Sequence, residues 1–110
     1  MKPVMHVYLY EDGEKFFGEG PCRLLKGIER TGSLRAAALE MDMSYSKAIT
    51  LISRAEKALH MPLTEKKIGG KGGGGSQLTP EAKEFLKRYE KYREACYEAN
   101  SRIYHEIFSE

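Results

Sequence analysis

Long apolar runs are what this chain most plainly lacks. No stretch approaches the roughly 20 consecutive apolar residues that a membrane helix needs. The amino terminus also has no positively charged segment followed by an apolar one. The expectation is a soluble, cytoplasmic protein with no membrane partner. Cysteine is scarce, and Cys22 and Cys96 stand far apart at no metal-ligand or redox spacing, which argues against a structural disulfide and suits a reducing compartment. His6, His60 and His105 are equally scattered, so no metal site is expected. No Ser, Cys or His has a recognisable nucleophile and base arrangement, and no paired-carboxylate motif stands out. Neither an enzyme nor a cofactor is therefore expected. What is present, 110 residues with 41% hydrophobic content, is enough for one modest core.

A net charge of one sign is also nearly missing, at +2 overall, but its distribution is uneven. Residues 44–79 carry 6 basic and 2 acidic side chains, whereas residues 1–43 and 80–110 each carry 6 basic and 7 acidic. A polyanion responds to local potential, so a basic middle third is what a phosphate-binding face requires. A solvated surface would have the same composition, and charge by itself does not choose between them.

Pattern supplies the organisation. Residues 4–10 alternate, residues 11–14 contain an Asp-Gly turn, and Lys15-Phe16-Phe17 resumes an extended pattern, which predicts a β-hairpin. Pro21 suits a first helical position and opens a helix that buries Leu24, Leu25 and Ile28 before Gly32 closes it. Ser33 caps a short second helix with Leu34, Ala37, Ala38 and Met41 inward, and Asp42-Met43 forms a sharp turn. Ser44 caps a third helix running to about residue 60, stopped by Pro62. At 100° per residue, Ala48, Leu51, Ile52, Ala55 and Leu59 share one arc of that helix. Ser46, Thr50, Ser53 and Lys57 point the other way, with Lys47 and Arg54 on their shoulder.

Short polar side chains beside cations are what base edges and phosphates call for. The candidate base contacts are Ser44, Tyr45, Ser46, Ile49 and Thr50, with Ile49 placed to touch a thymine methyl. The candidate phosphate contacts are Arg35, Lys47, Arg54, Lys57, Lys66, Lys67 and Lys71. An ordinary amphipathic surface helix would share this pattern if it stood alone.

Residues 63–68 and 76–79 predict two strands joined by Gly69-Gly70-Lys71-Gly72-Gly73-Gly74-Gly75. So many glycines lose conformational entropy on ordering, which fits a loop ordered by a bound phosphate backbone, while a plain flexible linker also fits. A nucleotide-binding phosphate loop does not fit, because Lys71 is followed by Gly72 rather than Ser or Thr. Thr79-Pro80 then begins a helix to about residue 108, roughly 43 Å long at 1.5 Å per residue. Phe85, Tyr89, Tyr92, Cys96, Ala99 and Ile103 recur along it at intervals of 4, 3, 4, 3 and 4 as one seam. A seam that long exceeds what residues 21–79 can cover, so pairing with a second copy is expected, a fold-back along its own domain being the other possibility.

The combination of Gly20-Pro21, Leu24-Leu25, Ile28, Thr31-Gly32-Ser33, Ala37-Ala38, Met41, Met43-Ser44-Tyr45, Ala48, Ile52, Glu56, Pro62-Leu63, Gly69-Gly70-Lys71-Gly72-Gly73-Gly74 and Leu78-Thr79 resembles the amino-terminal winged-helix domain of the ModE molybdate-responsive regulators, itself similar to the DNA-binding domain of LysR-type regulators. The likeness covers about residues 4–95. It implies a prokaryotic, homodimeric, sequence-specific transcriptional regulator of double-stranded DNA, with Ser44 to Lys47 and Thr50 at the reading end of the third helix and Lys71 at the wing tip. The chain ends at Glu110, so the carboxy-terminal oxyanion-binding domains, and with them a molybdate site, are not expected.

The expected fold class is mainly α with small β-hairpins (α+β). A winged helix-turn-helix spans residues 1–79, with its recognition helix at about 44–60 and its wing at 63–79, and a dimerisation helix follows over 80–110. The alternative is a winged-helix module that holds a protein partner and never touches DNA.

Overall fold

The computed structural model describes residues 1–67 and 75–109. Its elements run β1 (Leu9–Glu11), β2 (Glu14–Phe17), α1 (Glu19–Thr31), α2 (Leu34–Glu40), α3 (Tyr45–Leu59), β3 (Thr64–Lys67), β4 (Gly75–Leu78) and α4 (Pro80–Phe108). The strands form two separate antiparallel hairpins, β1 with β2 and β3 with β4. This is the expected winged helix-turn-helix with a long terminal helix.

The caps explain where the helices begin and end. The Ser33 hydroxyl accepts from the Ala36 amide at 3.0 Å, Ser44 from Lys47 at 3.1 Å and Thr79 from Ala82 at 3.0 Å, each satisfying an amide that has no partner inside its own helix. Gly32 ends α1 at φ 75°, and His60 ends α3 at φ 56°. The Glu56 carboxylate accepts the Leu63 amide at 2.8 Å, which fastens the chain after Pro62 back onto α3.

Two sequence expectations shift. The first helix starts at Glu19 rather than Pro21, with Gly18 as its cap. Proline is tolerated two residues further in because no amide of the first turn has a helical partner to lose. The first strand is only Leu9–Glu11 instead of residues 4–10. The residues before it run beside α4, where the Tyr89 hydroxyl donates to the Val7 carbonyl at 2.7 Å and the Tyr104 hydroxyl to the Met1 carbonyl at 2.9 Å. Backbone groups satisfied by α4 have no need of a sheet ladder.

The core draws on every helix. Leu24, Leu25 and Ile28 of α1 meet Ala37 and Ala38 of α2, Ala48, Ile52 and Ala55 of α3, and Ala82, Leu86 and Tyr89 of α4. The alanines let α1 and α2 cross closely: a Cβ on Gly27 would lie 2.9 Å from that of Ala37. Phe17 of β2 stands edge-on to Phe85 and Tyr89, with ring centroids 4.9 and 4.8 Å apart, an arrangement favoured by the ring quadrupoles. The first turns of α4 therefore close the core of their own domain.

Burial, which disfavours the phenolate, pushes the Tyr89 hydroxyl from its ordinary 10.0 up to about 12. A raised folded pKa means stability that is complete below the unfolded value and lost as pH climbs through the folded one. Unfolding midpoints should therefore fall as pH rises from 10.0 to about 12. Tyr89→Phe should flatten that part of the profile in denaturant titrations, and an unchanged slope in the variant would assign it to other groups.

Candidate nucleic-acid interface

The exposed face of α3 is built as the periodicity implies. Ser46, Thr50, Ser53 and Lys57 are all exposed along one row, with Lys47 and Arg54 exposed beside them. Ala48, Ile52 and Ala55 anchor the opposite face in the core, which fixes the rotation of the helix. Ile49 is 40% exposed, an aliphatic side chain held at the edge of a polar face. The Thr50 hydroxyl donates to the Ser46 carbonyl at 3.0 Å. Its hydrogen is thus committed to the helix, and what it offers outward is an acceptor and a methyl group.

The amino end of α3 is open to solvent, with Ser44 and Tyr45 both exposed. Arg35, from α2, lies over the Tyr45 ring with its guanidinium carbon 4.2 Å from the centroid. That cation–π contact holds one positive charge against the tip of the helix. A paired Arg30 and Glu40, at 2.9 and 2.6 Å, ties α1 to α2, and the guanidinium holds the Glu40 carboxyl below its ordinary range.

The wing is fastened to the helix-turn-helix at one joint. The Ser76 amide donates to the Gly32 carbonyl at 2.9 Å, and Gly32 is the same residue whose left-handed conformation turns α1 toward α2. Gly75 sits so close that a Cβ there would come within 2.5 Å of the Gly32 oxygen. The strands pair in register from Thr64 with Leu78 to Lys67 with Gly75, and Lys66 and Lys67 are exposed on β3. At the base, the Thr79 amide donates to the Leu63 carbonyl at 3.0 Å and its hydroxyl to the Pro62 carbonyl at 2.8 Å. The glycine loop and Lys71 lie outside the described residues.

The residues assigned to a dimer seam do not share one free face. Phe85 and Tyr89 are turned onto Phe17 of their own chain, Tyr89 being 2% exposed. This corrects the place of Tyr89 in the seam, because the Phe17 ring of β2 covers it, while Phe85, touched by the same ring, stays half-buried. Cys96 and Ala99 are half-buried, and Tyr92 and Ile103 are exposed.

One cation escaped the sequence reading. Lys15 of β2 lines a groove of about 300 Å³ together with Lys47 and Arg54 of α3. Its hairpin was legible, but nothing local in the sequence indicated that β2 packs beside α3. Among the described residues no group of three or more metal-ligating side chains occurs, and no helix is long and apolar enough to cross a membrane.

Similarity to known proteins follows the same segment. The family model described as bacterial regulatory helix-turn-helix protein, lysR family, matches residues 22–83, the stretch from α1 through the wing to the start of α4. The transcriptional regulator ModE of Haemophilus influenzae is 40% identical over 68 residues, which is 62% of this chain and 27% of that protein. The molybdenum transport protein ModE of Herbaspirillum seropedicae is 44% identical over 63 residues, 57% of this chain and 23% of its own length. The DNA-binding transcriptional dual regulator ModE of Escherichia coli K12 is 34% identical over 67 residues, 61% and 26% respectively. The chain thus spans about a quarter of the length of these curated relatives, and the ModE resemblance read from its residues holds.

Gly75→Ala tests the joint. Forcing a methyl against the Gly32 carbonyl should cost about 1–3 kcal/mol, the usual range for overpacking. The measurement is a urea unfolding curve against the parent, and an unchanged midpoint would mean that the wing base gives way freely.

Proposed function

We propose that this chain, which belongs to the lysR family of bacterial regulatory helix-turn-helix proteins, binds double-stranded DNA sequence-specifically as a homodimer and regulates transcription. In this proposal α3 enters the major groove, its amino-terminal half reading bases through Ser44, Tyr45, Ser46, Ile49 and Thr50. The wing lies on the adjacent backbone or minor groove, with Lys66, Lys67 and Lys71 toward phosphates, and Arg35, Lys47, Arg54 and Lys57 flank the helix. The observation that carries it is the exposed row of short polar side chains on α3, bordered by cations, beside a wing whose base is anchored at Gly32. A surface helix with no reading role has no requirement for a second basic element fixed at its side.

Pairing is supported by what α4 leaves uncovered. Tyr92, Ile103, Ile107 and Phe108 are 56, 48, 68 and 58% exposed, so the helix carries an apolar stretch beyond its own domain. Residues 1–79 then act as the reading unit, and the pairing part of the 80–110 segment begins near Tyr92. Two-fold pairing would set the two α3 helices one turn of DNA, or a multiple, apart.

Fluorescence anisotropy with random duplex at two salt concentrations tests the DNA contact. Salt-dependent binding is expected, with log affinity falling as log salt rises. Its absence would point instead to a winged-helix module that holds a protein partner. Lys66→Ala should weaken binding to all sequences and reduce the salt slope by about 1, whereas Thr50→Ala should change which sequences are preferred, at about 1–3 kcal/mol for the favoured site. For pairing, sedimentation of the parent should report a two-chain mass, and Ile103→Asp with Ile107→Asp a single-chain mass. A single-chain mass for the parent would remove the dimer.

A further inference from the structure

The amino-terminal hairpin precedes the segment matched by the family model, which begins at residue 22, yet it packs beside the reading helix. Its turn carries Glu11, Asp12 and Glu14. These three carboxylates share a cleft of about 310 Å³ with Arg54, Lys57 and His60 from the carboxy half of α3. Lys57 ends the same exposed row that begins with Ser46, so the acidic turn stands at the far limit of the face proposed to meet DNA.

Hairpin stability does not account for these charges. Asp12 and Gly13 hold φ values of 51° and 78°, and an Asp-Gly pair suits that turn. Glu11 and Glu14, however, are directly paired across the strands, and like charges in that position weaken a hairpin. The like-charged pair thus adds nothing to the stability of its own hairpin. The cations across the cleft face these carboxylates, although no ion pair within 4.0 Å joins them among the described residues. With two cations facing three carboxylates, this cleft carries a net negative charge that weakens the pull of Lys57 and of one side of Arg54 on a phosphate backbone, while the neighbouring groove that Arg54 shares with Lys15 and Lys47 stays basic.

We propose that the acidic turn of the β1–β2 hairpin is a specificity-determining element: it offsets Arg54 and Lys57, lowers affinity for DNA in general, and confines productive contact to the amino half of α3 and the wing. This rests on the DNA-binding function proposed above. A protein freed of sequence-independent attraction at one end of its reading helix discriminates better, since backbone charge contacts supply most non-specific affinity.

The test is Glu11→Gln, Asp12→Asn and Glu14→Gln together in the full chain. Asparagine keeps the turn, and removing the Glu11 and Glu14 repulsion spares the hairpin. Anisotropy titrations use random duplex and a duplex selected from a random pool by the parent. The triple variant should bind random duplex roughly tenfold tighter at low salt, with a steeper salt slope and a smaller ratio of selected to random affinity. Adding Arg54→Ala and Lys57→Ala should remove that gain. The same number of charges removed from α4 ahead of its pairing part, by Glu81→Gln, Glu84→Gln and Glu90→Gln, should change random-duplex affinity far less. Binding by the parent with no gain in the triple variant, or an equal gain in the α4 variant, would overturn this inference alone. Failure of the parent to bind any duplex would overturn the DNA assignment itself.

Discussion

The Gly32 carbonyl is the point at which the two halves of the proposed reading surface are held together. Its residue adopts the left-handed conformation that lets α1 end and α2 begin at Ser33, and the same carbonyl receives the Ser76 amide of the wing. Glycine is required on both sides of the contact, at Gly32 for its backbone angle and at Gly75 for space. Without that hydrogen bond the wing would be a two-stranded ribbon held only at its base, and isolated hairpins are marginal in water. The lysines of β3 are useful to a phosphate backbone only if their distance from α3 is constant.

A second constraint is the burial of α3 through small residues. Ala48 and Ala55 bring the helix axis close to the core, and Ile52 locks its rotation. The polar row is exposed because the apolar arc is occupied. Thr50 illustrates the economy of that face: by returning its hydrogen to the Ser46 carbonyl it satisfies a donor within the helix, so no partner is needed before a ligand arrives. Arg35 is held in a comparable way, stacked on Tyr45 instead of moving freely in solvent. Both arrangements reduce the ordering entropy that binding would otherwise have to overcome.

Helix order, caps and turn chemistry were legible because they are local. Ser33, Ser44 and Thr79 cap where a side chain three residues before an unpaired amide can reach it, and the bounds of α4 agree with those inferred from Thr79-Pro80 and the apolar spacing. Pro21 misled by two residues because a proline anywhere in the first turn is tolerated, so it marks a helix start only loosely. Residues 4–8 alternate as a strand does, but the Val7 carbonyl meets a tyrosine hydroxyl from a helix 82 residues later in the chain, and the Met1 carbonyl ahead of them meets another. No local pattern encodes such a partner.

The seam on α4 shows the same division more sharply. A spacing of 4, 3, 4, 3, 4 establishes that six residues lie along one helix stripe, and the sequence by itself determined that much, together with the helix-turn-helix order, the basic middle third and the family likeness. Tertiary structure alone decided that Phe17 claims Phe85 and Tyr89 while Tyr92 and Ile103 stay open, that the wing hangs on Gly32, and that an acidic turn faces Arg54 and Lys57. The physical reason is range. Periodicity and capping act over three or four residues of backbone, whereas which faces touch is settled by packing of elements whose positions depend on the whole core at once.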